Sequence, residues 1–213
     1  MHKNPLQKLS LFALLLLFGT VANAQQPPQQ LVAQLKRAVV VVTTRDTDGR
    51  ALQQGSGFFI AADRIVTNLH VLRAAHDIRV QTFNGATIVV DSIVATDPKG
   101  DLALLKINNP ASGTTTLQVE ELGALEGDNV LVISNPRGAR WKVTAGQVGA
   151  SWNFEHLGTR MQITASLEPG SSGGPVVNLR GHVVGVAVMH IEGADAIDLA
   201  VPAERLTSLR SRN

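Results

Sequence analysis

The chain contains no cysteine among its 213 residues. This absence excludes disulfide bonds, a cysteine nucleophile, a cysteine-based zinc site and a lipid attached through cysteine. Aromatic residues make up only 4% of the sequence. No run of basic residues is present either, so the sequence offers neither a stacking platform nor a cationic track for nucleic acid. Because the chain cannot form disulfide bonds, its fold must be stabilised by its apolar core.

A long apolar run lies at the N-terminus. Residues 9–22 are almost wholly apolar, follow Lys3 and Lys8, and end in the small residues Ala22 and Ala24. This pattern is typical of a secretory signal peptide that is cleaved after Ala24. The alternative is a transmembrane anchor, for which the run is short, because a bilayer span needs about 20 apolar residues. We expect a signal peptide at residues 1–24, export to a periplasm or out of the cell, and no stable membrane anchor after cleavage.

Removal of this segment changes the charge balance. The whole chain has 19 Lys and Arg residues against 17 Asp and Glu residues, and Lys3 and Lys8 belong to the signal segment. The chain that starts at Gln25 is therefore formally neutral. Its balance gives no indication of a nucleic-acid partner, and none is expected.

Short β-branched or apolar segments separated by turn residues dominate the rest of the sequence. Such spacing favours an all-β barrel or sandwich. Strands are predicted at residues 38–44, 55–60, 64–68, 102–107, 129–134, 141–150, 160–165, 175–178, 182–189 and 196–201, with a hairpin of strands 78–83 and 86–95 around Asn84 and Gly85. A polar connector at 108–116 divides these strands into a unit at 38–115 and a unit at 116–213 that ends in a short helix at 203–209. A linker and weakly helical N-terminal arm at 25–37 precede both.

Residues 168–176 form a glycine-rich turn with two serines at its centre. Gly170, Gly173 and Gly174 free the backbone for positive φ and for close approach of its N–H groups to other atoms. A serine hydroxyl on such a turn can act as a nucleophile, with adjacent N–H groups facing the oxyanion that its attack creates. A surface loop between two strands has the same composition, so this stretch alone leaves both interpretations open.

Acyl transfer by serine needs a base for the hydroxyl proton and a carboxylate that orients the base. His70 and Asp101 are candidates, because each adjoins a predicted strand of the first unit. Each is ordinary in isolation: a histidine near a strand end is commonly a satisfied polar residue, and an aspartate before a strand is commonly a turn residue. Their significance comes from the flanking sequences.

Taken together, these flanks resemble those of the trypsin-like serine peptidases, and in particular of the bacterial HtrA/Deg branch. The matching segments are residues 55–60, 65–71, 101–107, 135–138 and 169–178. The order histidine, aspartate, serine is also that of the family. The resemblance covers about residues 38–205.

The resemblance implies two six-stranded antiparallel β-barrels with the active site at their seam. It implies His70 as general base and acid, Asp101 as the orienting carboxylate and Ser172 as nucleophile. The oxyanion hole would consist of backbone N–H groups of Gly170 and Ser172, with Ser171 as a further candidate. No cofactor is implied. No metal is expected, because the remaining histidines show no metal-ligand spacing.

The primary substrate pocket implied by the resemblance is lined by Ser166, Leu167, Val188, Met189 and His190. No acidic residue stands at position 166. We therefore expect the pocket to accept small or medium apolar substrate residues rather than Arg or Lys.

The sequence departs from the HtrA pattern at two positions. Ser171 replaces an asparagine that is common before the nucleophile, and Ser134 stands where glycine is usual. Only a short helix is expected after residue 201, so the resemblance implies that the PDZ domain of many relatives is absent. Whether the chain forms a homo-oligomer is left open.

The sequence therefore predicts a serine endopeptidase that hydrolyses unfolded or exposed polypeptides. The alternative is a non-catalytic or latent module with the same fold that binds extended peptides by strand addition.

Overall fold

The computed structural model describes residues 29–110, 112–136, 140–191 and 197–210. The predicted signal peptide, residues 25–28 of the linker and part of the turn at 135–138 lie outside these ranges. The first half contains α1 (Gln29–Ala38), β1 (Val39–Arg45), β2 (Ala51–Ala61), β3 (Arg64–Asn68), a 3-10 turn (His70–Leu72), β4 (Asp77–Gln81), β5 (Thr87–Val89), β6 (Ser92–Asp97) and β7 (Leu102–Lys106). The second half contains β8 (Asn129–Ser134), β9 (Lys142–Phe154), β10 (Gly158–Ile163), β11 (Pro175–Asn178), β12 (Val183–Ile191), β13 (Ile197–Pro202) and α2 (Glu204–Arg210).

The strands of the first half form one antiparallel sheet in the order β5-β4-β1-β2-β3-β7-β6. The valines at 39–42 are buried, as expected for a continuous β-branched run in a strand covered on both faces. The sheet has seven strands and two free edges, β5 and β6, and is therefore an open half-barrel rather than a closed six-stranded one.

The second half is a closed barrel of six strands in the order β10-β13-β12-β11-β8-β9. Every pairing in it is antiparallel. The all-β architecture of two strand groups is thus confirmed, and so is the short C-terminal helix.

The predicted hairpin is correct at its turn and wrong in its second strand. β4 and β5 pair around Gly85, but the strand predicted at 86–95 is interrupted after Val89. The Val90 N–H donates to Ile78 O, whereas the next N–H, that of Asp91, donates to Lys106 O of β7, the strand next to the opposite edge. The chain crosses here from one edge of the sheet to the other, so β6 pairs with β7. The apolar composition of the segment gave no indication of this change of partner.

The largest apolar cluster crosses the seam between the halves. It contains Phe58, Val66 and Leu104 from the first half together with Leu131 and Ile133 from the second. α1 contributes Leu35 and α2 contributes Leu206. Because the two halves share this core, the loops that face each other across the seam are held in fixed positions.

Candidate active site

His70 and Asp101 meet because β3 and β7 are paired. Asn68, the last residue of β3, lies opposite Leu102, the first residue of β7. The residues just beyond them therefore lie at the same end of two adjacent strands. His70 Nδ1 lies 2.6 Å from Asp101 Oδ2, and the His70 N–H donates to Asp101 Oδ1 at 2.8 Å. Both carboxylate oxygens of Asp101 are thus engaged by His70.

The backbone of Asp101 is held in an uncommon conformation. Its φ of 56° lies in the left-handed region, which asparagine and aspartate tolerate better than most residues. Its carbonyl accepts hydrogen bonds from the Leu69 N–H at 3.0 Å and from Asn68 Nδ2 at 2.9 Å. These bonds stabilise the conformation that aims the carboxylate at the imidazole.

Ser172 follows a tight turn at residues 168–171. Pro169 and Gly170 occupy its centre, Gly170 has a φ of 102°, and the Ser171 N–H donates to Glu168 O at 2.8 Å. This combination matches a type II turn, which requires positive φ at its third position. Gly173 also has positive φ, at 87°, and a Cβ there would lie 2.1 Å from Ser56 O. The turn therefore packs directly against β2 of the other half.

Ser56 joins the two halves beneath the candidate nucleophile. Its hydroxyl donates to Gly170 O at 2.8 Å and accepts from the Asn135 N–H at 2.8 Å. Its backbone N–H donates to Ser172 O at 2.8 Å. The side chain is fully buried. Sequence reasoning included Ser56 in a matching segment and assigned it no role, because its partners lie far away in the sequence.

The hydroxyl of Ser172 donates to Val188 O at 3.2 Å. Among the described residues it makes no hydrogen bond to His70. A proton transfer from Ser172 to His70 would require rotation of this hydroxyl, and catalytic hydrogen bonds are often absent before substrate binds.

The backbone N–H groups of Gly170 and Ser172 have no acceptor among the described residues. The N–H of Ser171 is occupied by Glu168 O. Two donors near the Ser172 hydroxyl therefore remain for a ligand oxygen, and the expected contribution of the Ser171 N–H is not available in this geometry.

A cleft of about 580 Å³ runs along the seam and contains His70, Asp101 and Ser172. It is lined by His70, Arg73, Pro98, Asp101, Leu157, Arg160, Leu167, Glu168, Pro169, Ser171, Ser172 and Val188. A smaller cavity of about 150 Å³ beside Phe83 and Ile88 holds none of the predicted site residues.

Only some of the predicted pocket residues line the cleft in the structure. Leu167 and Val188 are buried and line the cleft. Ser166 is exposed and does not line it, and its carbonyl accepts a hydrogen bond from Thr144 Oγ1. The side chains of Met189 and His190 lie outside the described parts of the chain.

No group of three or more His, Cys, Asp or Glu side chains in the described ranges is arranged to hold a metal ion. In the same ranges, no helix has the length and apolar character needed to cross a bilayer.

Residues 55–186 match the trypsin-like peptidase domain family. The periplasmic serine endoprotease DegP of Escherichia coli K12 is 34% identical over 167 residues, which cover 74% of this chain and 35% of DegP. The anti-sigma-I factor RsgI9 of Acetivibrio thermocellus is 30% identical over 171 residues, which cover 80% of this chain and 24% of that protein. The chain thus spans about a third or less of the length of these curated relatives.

Among solved structures, the serine endoprotease of Yersinia pestis is similar, with a TM-score of 0.75 and 31% identity. The superposition covers 86% of this chain and 65% of that one. By its sequence match and its fold, the chain belongs to the trypsin-like serine peptidases, in their HtrA branch.

Proposed function

We propose that the chain is a serine endopeptidase in which Ser172 is the nucleophile, His70 the base and Asp101 the residue that orients the base. The observation that carries this proposal is the 2.6 Å contact between His70 Nδ1 and Asp101 Oδ2 in the cleft that Ser172 lines. An ionised carboxylate can only accept hydrogen bonds, so the proton lies on Nδ1. The other ring nitrogen, Nε2, then carries the lone pair that takes the Ser172 proton.

Substrate binding can release the nucleophile. The carbonyl of Val188 accepts the Ser172 hydroxyl at 3.2 Å in the resting site. A substrate N–H that donates to this carbonyl competes with the hydroxyl. Because a neutral hydrogen bond contributes only about 1 kcal/mol net, the exchange and the rotation of the hydroxyl toward His70 cost little.

The proposed reaction uses these groups in turn. Ser172 Oγ bonds to the peptide carbonyl carbon while its proton passes to His70, and the carbonyl oxygen becomes an oxyanion. The N–H groups of Gly170 and Ser172 stabilise this charge, a contribution for which loss of one donor costs about 100- to 1,000-fold in rate. His70 returns the proton to the departing amine as the acyl-enzyme forms. Water then attacks the acyl-enzyme in the same way, with His70 taking its proton and returning it to Ser172, and the peptide acid is released.

The cleft favours an extended polypeptide that enters between the two halves. Leu167 and Val188 present apolar surface beside Ser172, which suits a small or medium apolar residue before the scissile bond. We further propose that the protein is exported and acts on unfolded or exposed polypeptides. The predicted signal peptide and the periplasmic location in the name of the related DegP support this.

Incubation of the mature protein with a reduced, unfolded protein tests the proposal. Mass spectrometry should find new termini that follow small or medium apolar residues. Ser172→Ala should give none, whereas Ser92→Ala, which alters an exposed serine on β6 that does not line the cleft, should cleave like the wild type. Equal cleavage by Ser172→Ala would refute the proposed nucleophile, and an inactive wild type would favour the peptide-binding alternative.

A further inference from the structure

Two arginines line the side of the cleft formed by His70 and Asp101. Arg73 follows the 3-10 turn that carries His70, and Arg160 belongs to β10. Both contribute to the cleft wall beside Pro98 and Leu157. Sequence reasoning assigned neither residue a role.

The carboxylates of the cleft already have partners. Asp101 accepts two hydrogen bonds from His70. Glu168 is paired with Lys142. No carboxylate among the cleft-lining residues therefore remains for the two arginines.

Most donors of the two guanidinium groups are unused. Arg160 is only 1% exposed, and its Nε has no hydrogen-bond partner among the described residues. Its other nitrogens donate to backbone carbonyls, Nη1 to Thr159 O at 3.0 Å and Nη2 to Lys99 O at 3.5 Å. Arg73 is exposed, and its side chain makes no hydrogen bond or ion pair with the described residues.

Burial of a cation without a carboxylate partner is costly. Burial lowers the pKa of Arg160, which is the physical sign of this cost, although the nearby charge of Asp101 opposes the effect. The other carboxylate near Arg160 is that of Asp97, which Arg205 binds through two nitrogens. A ligand carboxylate that reached the unused donors would gain charge-assisted hydrogen bonds, and these are about twice as strong as neutral ones.

We infer that Arg160 and Arg73 form a subsite for an acidic side chain of the substrate. The subsite shares the cleft with Leu167 and Val188, which line the proposed pocket for the residue before the scissile bond. Because the apolar residue occupies the surface of Leu167 and Val188, the acidic residue is another residue of the same peptide. A basic residue in the same place meets two cations, so the subsite also discriminates against lysine. This inference rests on the proposed function, because it names the substrate class of the same cleft.

Peptide binding to Ser172→Ala tests the subsite without cleavage. Matched labelled peptides carry one central valine and, at each flanking position in turn, Glu, Gln or Lys, and fluorescence anisotropy gives their Kd. At one position we expect the Glu peptide to bind about tenfold more tightly than the Gln peptide and the Lys peptide more weakly than either. The Glu-to-Gln ratio should fall when salt is raised from about 0.05 M to about 0.5 M, because salt screens charges.

Two substitutions in the Ser172→Ala background locate the effect. Arg73→Gln alters an exposed side chain and should lower the Glu-to-Gln ratio without affecting folding. Arg160→Gln should lower it further, and circular dichroism checks its fold. Lys106→Gln, on β7 outside the cleft, should leave the ratio unchanged.

Equal binding of the Glu and Gln peptides at every position would overturn the inference. A preference that survives in the Arg73→Gln/Arg160→Gln double variant would overturn it as well, and so would failure to bind any peptide. The proposed peptidase activity is tested separately by cleavage with the wild type, so either proposal can fail without the other.

Discussion

Ser134 Oγ donates a hydrogen bond of 3.1 Å to Ser171 Oγ. These are the two positions at which the sequence departs from the HtrA pattern, and the structure brings them into contact. Both side chains are buried, at 5% and 3% exposure. Ser171 Oγ also accepts the Glu168 N–H at 3.1 Å. The serine pair thus supports the turn that carries the two free N–H groups.

Substitution of Ser171 should affect the reaction more than binding. Ser171→Ala removes the acceptor of the Glu168 N–H and loosens the turn that positions the Gly170 N–H. We expect kcat to fall about tenfold with KM changed less than about twofold, because the oxyanion exists only after attack.

The double substitution Ser134→Gly/Ser171→Asn provides the rescue control. It introduces the residues usual in the HtrA branch at both positions and should retain kcat within about threefold of the wild type. Unchanged kcat in Ser171→Ala would show that the serine pair does not position the turn.

Loss of the Ser56 hydroxyl should destabilise the junction between the halves. Ser56→Ala leaves Gly170 O and the Asn135 N–H without their side-chain partner in a buried site. Each unsatisfied buried group costs about 1–3 kcal/mol, so we expect the free energy of unfolding in urea to fall by about 2–4 kcal/mol. Ser92→Ala should change it by less than about 0.5 kcal/mol. A Ser56→Ala variant as stable as Ser92→Ala would contradict this account of the junction.

Gly173 and Gly85 form a matched pair for a test of close packing. Both have a φ of 87°, but a Cβ at Gly173 would meet Ser56 O at 2.1 Å, while a Cβ at Gly85 would meet nothing within 4 Å. Gly85→Ala should cost about 1 kcal/mol of unfolding free energy from the left-handed backbone alone. Gly173→Ala should cost at least about 2 kcal/mol more and abolish cleavage, because a backbone oxygen must move. Equal losses of stability would show that the approach of this turn to β2 is not a constraint.

Arg205 on α2 should stabilise the loop that leads to Asp101. It binds Asp97 through Nε at 2.8 Å and Nη2 at 2.6 Å, and Asp97 in turn accepts the Gly100 N–H at 3.0 Å. Because Asp97 is buried, Arg205→Ala should lower the free energy of unfolding by about 2–4 kcal/mol. Arg180→Ala, which removes the exposed arginine of the Arg180–Glu120 pair, should lower the free energy of unfolding by much less. Thermal or urea unfolding measures both, and similar losses would contradict the proposed role of the Arg205 pair.

Local patterns were sufficient to predict most strands. β-Branched composition, with turn residues at both ends, was enough to predict the strand that contains residues 39–42 and the strands at 64–68, 129–134 and 175–178. The exchange of edges after Val89 was not predictable, because it depends on hydrogen bonds to Lys106, which is distant in the sequence.

The candidate site, like the fold, was only partly predictable from the sequence. His70 and Asp101 could be selected because each stands at a strand end within a recognisable flank. The contacts of Ser56 with Gly170 and of Ser134 with Ser171 join residues 114 and 37 positions apart, and no local pattern encodes them. Arg160 resembles any polar residue of a strand in the sequence. Its burial and its unused donors depend on the loop of the other half that packs above it.

The most direct test of the central claim is active-site labelling. The mature wild type is treated with a fluorophosphonate probe, and peptide mapping locates the adduct. The account predicts one adduct, on the Ser172 hydroxyl, with none in Ser172→Ala and strongly reduced labelling in His70→Ala. An adduct on another serine, or undiminished labelling of Ser172→Ala, would contradict it.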